Sequence, residues 1–154
     1  MKTTLFFSVL FAVIFIFPFE QISAQEEDLY EGGTVWSLTF VRTGANKSDT
    51  YLKGLANTWV ATMEEAKSEG LIVSYKILQG AAANEEDFNL ILMIENKSMG
   101  EFDPNKEREA KWDAINKKVK EKMGDQEFDT VVANYDDIRE MIGTKIMREI
   151  HLKK

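Results

Sequence analysis

Residues Phe88 to Glu95 carry apolar side chains on both faces of what reads as a β-strand, with Leu90, Leu92 and Ile94 alternating against Ile91 and Met93. Successive side chains of a strand point to opposite sides, so such a run belongs inside a sheet covered on both faces. Helices of the same chain can cover one face. Something else must cover the other, and this requirement constrains the fold more than any other feature.

The neighbouring segments supply the rest of a sheet. From Thr34 onward Trp36, Leu38 and Phe40 alternate with Val35, Ser37 and Thr39 in a stretch rich in aromatic and β-branched residues, which predicts a first strand. Gly44 to Lys47 reads as a turn, with Ser48 or Asp49 capping a helix whose apolar stripe is Leu52, Leu55, Trp59, Met63 and Ala66. Gly70 ends that helix, and Leu71 to Gln79 is a second strand. Past the third strand, Asp103-Pro104 opens a helix striped by Trp112, Ile115, Val119 and Met123 and closed by Gly124. Asp125 caps a further helix with Phe128, Val131, Val132, Tyr135, Ile138 and Ile142 inward, closed by Gly143. Thr144 to Leu152 is the last strand, with Ile146, Ile150 and Leu152 on one face.

This order predicts an α+β, ferredoxin-like βαββαβ fold: an antiparallel four-stranded sheet, helices on one face and an extra helix before the last strand. The domain spans residues 34–154, preceded by an acidic, glycine-containing lead-in over 25–33 that is expected to be flexible. The runs Val35–Val41, Gly70–Lys76 and Gly143–Ile150 resemble the dimeric α/β-barrel superfamily, and within it exported bacterial members of unassigned function. The resemblance is one of pattern over nearly the whole domain. It implies a homodimer whose helix-free sheet faces pack together, which would cover the third strand's second face. The superfamily includes cofactor-independent monooxygenases and haem-handling enzymes, so the fold by itself selects no chemistry.

Residues 1–24 read as a secretory signal peptide: Lys2, an apolar run from Leu5 to Phe17, and Ile22-Ser23-Ala24 before a cut at Gln25. The run is shorter than the ~20 residues that span a bilayer, so a released periplasmic or secreted protein, with no membrane attachment after cleavage, is expected. The 154-residue chain has no cysteine, which excludes thiol catalysis and cysteine-ligated metal. Its net charge of −7 argues against a nucleic-acid partner.

No catalytic constellation emerges. The lone His151 lies near the C-terminus with no second ligand beside it, and the acidic clusters lack the spacing of a calcium loop, so neither a metal nor a cofactor is expected. Arg148 is the most informative charge, because it shares the strand face of Ile146, Ile150 and Leu152. Two readings stand. With Trp36, Trp59 and Tyr75 it lines a pocket between sheet and helices for a small apolar or anionic molecule. Alternatively it forms an internal ion pair with a helix carboxylate, the aromatics being plain core. The function classes that follow are a small-molecule binder, a non-enzymatic homodimeric interaction module, and a monooxygenase-like enzyme.

Overall fold

The computed structural model describes residues 29–154; the expected signal peptide and residues 25–28 of the lead-in lie outside the described residues. The elements are β1 (Tyr30–Thr43), α1 (Ser48–Asn57), α2 (Trp59–Ser68), β2 (Ser74–Gln79), β3 (Leu90–Asn96), α3 (Lys106–Met123), α4 (Asp125–Ile138) and β4 (Arg139–Leu152), with a 3₁₀ turn at Met99–Phe102. The four strands form one sheet in the order β2-β3-β1-β4, every neighbour antiparallel. This is the ferredoxin-like α+β arrangement, with an additional helix ahead of the last strand. Among the described residues no helix is long and apolar enough to cross a membrane.

Register decides which side chains meet the helices. Val35, Ser37, Thr39 and Val41 of β1 pair with Asn96, Ile94, Leu92 and Leu90 of β3, and this set faces α1 to α4. One cluster joins Val41, Leu90 and Leu92 to Tyr51 and Leu55 of α1 and to Tyr135 and Ile138 of α4. A second joins Met63 and Ala66 of α2 to Ile72, Ile115 and Val119. Gly70 and Gly124 take positive φ values of 69° and 94°, the left-handed conformation that lets a helix end without a Cβ clash.

Local readings differ from the structure where a long-range partner decides the outcome. The continuous stripe from Leu52 to Ala66 predicts one helix, yet the helix breaks at Thr58, with φ −108° and ψ −84°. The Thr58 hydroxyl lies 2.9 Å from the Gly54 carbonyl and 2.6 Å from the Tyr135 hydroxyl on α4. A Cβ on Gly54 would sit 2.9 Å from the Tyr135 ring, so the glycine is what lets α1 and α4 approach this closely. The α3 helix is capped by Asn105, whose side chain accepts from the Arg108 amide at 3.0 Å, rather than by Asp103.

Both ends of the sheet are longer than the sequence pattern suggests. β1 opens at Tyr30, so residues 30–33 of the expected lead-in are strand, with Tyr30 opposite Leu152. α4 stops at Ile138 instead of running to Ile142, and Gly143 lies within β4 rather than capping a helix. β1 draws those residues into the sheet: Thr43 pairs with Arg139 and Arg42 with Glu140. The pairing slips once between Phe40 and Val41, leaving Ile142 as the extra residue of a bulge, and again between Gly32 and Val35.

Candidate functional sites

Two features emerge from this frame. The first is the sheet face that no helix of the described residues covers. Alternation places Trp36, Leu38, Phe40 and Arg42 of β1, Ile91, Met93 and Glu95 of β3, Lys76 and Leu78 of β2, and Lys145 and Met147 of β4 on this side. Its centre is apolar and half-exposed, with Leu78 and Met147 open at the sides. The Phe88 ring packs 4.8 Å from Phe40. Lysines lie over the aromatics, Lys76 at 4.9 Å from the Trp36 ring and Lys145 at 5.9 Å from Phe40. At one end Thr34 donates to Glu95 at 2.8 Å and lies 3.2 Å from a Glu149 carboxylate oxygen.

The second feature is a cleft of about 590 Å³ at the end of the sheet, where the β1–α1 turn, the loop before β3 and the α4–β4 junction meet. A polar knot forms one wall. Asn89 donates to the Thr43 hydroxyl at 2.8 Å and accepts from the Thr43 amide at 3.0 Å. Ser48, expected as a helix cap, instead lies 2.6 Å from the Thr43 hydroxyl. Arg42 is held by the Glu140 carboxylate and the Glu85 carbonyl.

Arg139, also in the cleft, is differently placed. Its guanidinium carbon lies 5.8 Å from the Tyr51 ring centre and 5.4 Å from that of Tyr135. Its Nε is buried with no hydrogen-bond partner, and among the described residues it makes no ion pair. Burial raises the pKa of both tyrosines above its ordinary value, while the Arg139 charge pulls the other way; for Tyr135 the Thr58 hydrogen bond also lowers it.

The four residues singled out from sequence do not share a pocket. Trp36 faces the helix-free side, whereas Tyr75, in register with Ile94, faces the helices. Trp59 and Tyr75 do meet, edge to face at 5.4 Å, but as packing: Trp59 touches both core clusters. The Tyr75 hydroxyl donates to Glu64, which raises the tyrosine pKa. Arg148 pairs with Val35 on the helix-facing side, yet β4 is an outer strand beyond the helices' reach, and Arg148 is exposed. Its guanidinium runs past Gly32, and among the described residues it makes no ion pair and does not meet Trp36, Trp59 and Tyr75 in a shared pocket. Arg139 is the cation that sequence reasoning missed, because it reads as the interior of a helix. His151 lies against Gly33, exposed, and the described residues contain no cluster of three or more metal-ligating side chains.

No family model and no curated protein matches the sequence. Solved structures similar to it include HapK from Hahella chejuensis, 13% identical, with a TM-score of 0.43 over 75% of this chain and 91% of that one. A dimeric ferredoxin-like protein from an uncultured marine organism is 18% identical, with a TM-score of 0.42 over 80% of this chain and 91% of that one.

Proposed function

We propose that this chain works outside the cytoplasm, after removal of residues 1–24, as a homodimeric interaction module joined through its helix-free sheet face. The observation that carries the reading is the asymmetry of covering. The helix side is filled by two core clusters, whereas Trp36, Leu38, Phe40, Ile91 and Met93 on the other side have no helix of the described residues above them. Burying such side chains is worth roughly 25 cal/mol per Å² of apolar surface, so an open face of this composition favours a cover.

A second copy fits the size and charge of the patch. Four strands about 4.8 Å apart, with β3 seven residues long, give a face on the order of 400 Å² in projection, which side-chain relief brings toward the ~800 Å² per partner of a standard interface. The rim carries both signs, Lys76 and Lys145 with Glu95 and Glu149, around an apolar centre, so a copy of the same face meets it without uniform repulsion. The layer between sheet and helices, where the sequence suggested a ligand, is occupied by Trp59, Tyr75 and Ile94.

Native mass spectrometry of protein recovered from the host's exported fraction tests both parts. The expected species begins at Gln25 and has twice the chain mass, and Leu38→Lys converts it to a monomer with unchanged circular dichroism. A wild-type monomer at concentrations that saturate a standard interface would overturn the dimer, and an uncut N-terminus would overturn the leader.

A further inference from the structure

We propose that the cleft at the sheet end binds a small zwitterion, a molecule bearing one carboxylate and one ammonium such as a free amino acid or a short peptide, with Arg139 as the carboxylate's anchor.

The cleft is the right size. Its volume of about 590 Å³ falls inside the range of small-molecule sites, whose usual anatomy is a few placed polar groups on mostly preformed walls. One wall is fixed before any ligand arrives by the Thr43–Asn89–Ser48 hydrogen bonds, and Arg139 is itself held over the Tyr51 and Tyr135 rings, which pack edge to face on each other.

Arg139 supplies the chemistry. A guanidinium carries five donors and is seldom left without an acceptor when part of it is buried. Here stacking over two tyrosines holds the group in place, its Nε is orphaned, and among the described residues no carboxylate lies within ion-pair distance of it. Arg42, on β1 in the same cleft, is already paired with Glu140 and provides the contrast. A planar fork that is positioned but unpaired is suited to a bidentate carboxylate.

The surrounding charge narrows the ligand further. Glu85, Asp87, Asp136, Asp137 and Glu140 outnumber the two arginines of the cleft, so a multiply charged anion such as phosphate is repelled. Asp136 and Asp137 stand exposed on the last turns of α4 without ion-pair partners among the described residues, at the helix end where the backbone dipole is negative. A cation is welcome there. One site that wants an anion inside and a cation at its rim matches a molecule carrying both.

The Arg139 Nε–H is buried, so its side-chain signal in an ¹H–¹⁵N spectrum is a direct reporter in the unaltered protein. L-alanine and L-alanyl-L-alanine, added singly, are expected to shift that signal with saturation near about 1 mM, while acetate and ethylammonium bind at least about tenfold more weakly and inorganic phosphate does not compete. Arg139→Gln is expected to abolish binding. Because that change also removes the stacking on Tyr51 and Tyr135, a D136N/D137N double variant at the exposed rim gives an independent reading: weaker zwitterion binding with acetate unchanged or tighter. An Nε–H signal that neither zwitterion moves, phosphate binding as tightly as alanine, or a double variant with unaltered preference would each overturn the proposal.

Discussion

The two faces of this sheet are written in the same strands and differ by one residue of register, yet they carry different kinds of packing. On the helix side Val41 and Leu90 are fully buried, and the Thr58 and Tyr135 hydroxyls are paired with each other. On the open side Phe40 and Ile91, their immediate neighbours in sequence, stay half-exposed, and charged residues lie across the aromatic rings. The chain's own core accounts for the first pattern. The second, an apolar centre with charges laid over it, is the pattern on which the proposed dimer rests.

Paired substitutions at adjacent positions break this comparison most directly. Leu90→Ala removes a fully buried side chain and is expected to cost about 2–5 kcal/mol in denaturant unfolding, at every protein concentration. Ile91→Ala is expected to change the unfolding of dilute monomer little and to act through dimer dissociation. If the two variants behave alike, the faces are not distinct.

A smaller effect tests how strictly polar groups are matched on the helix side. Thr58→Val deletes the partner of a buried tyrosine hydroxyl, for an expected loss of about 1–3 kcal/mol. The buried tyrosines also predict a pH dependence. Their pKa values are raised in the folded state, so the stability they lend is fully present below about pH 10, the ordinary tyrosine value, and is lost as pH climbs through the folded values. Thermal melts should be flat with respect to these groups through neutrality and fall on the alkaline side, and Tyr51→Phe should flatten that fall. The smallest effect lies on the outer helix surface. Lys118 reaches Glu65 at 2.6 Å but is largely exposed, and Lys118→Ala should shift stability by no more than about 1 kcal/mol.

Much of the fold was legible because hydrophobic period and turn chemistry are local. The two-sided pattern of Leu90 to Ile94 predicted a central strand, and β3 lies between β2 and β1. Gly70 and Gly124 marked helix ends by a backbone conformation that favours glycine. The misses share a cause, which is that the deciding partner is distant in sequence. Nothing near Thr58 signals a break when its partner is Tyr135. The spacing of Ile138 and Ile142 is as good for a helix as any, and only pairing with β1 turns residues 139–143 into strand.

The candidate sites were less legible still. Arg148 stood out because its strand face was otherwise apolar, but β4 is an edge strand, and an edge tolerates a charge on either face. Arg139 gave no signal, since its environment is assembled from α1, α4 and the cleft loops. The opposition of Trp36 and Tyr75 follows from register, which neither strand discloses alone.

The strand order also sets a timetable. β1 lies between β3 and β4, and its first residue, Tyr30, pairs with Leu152 across nearly the whole described chain. During synthesis, β1 therefore emerges before the other described strands and keeps one hydrogen-bonding edge open until β4 has left the ribosome. A nascent chain of this kind stays incomplete, and open to whatever handles unfolded polypeptide, until residues 139–152 have been made.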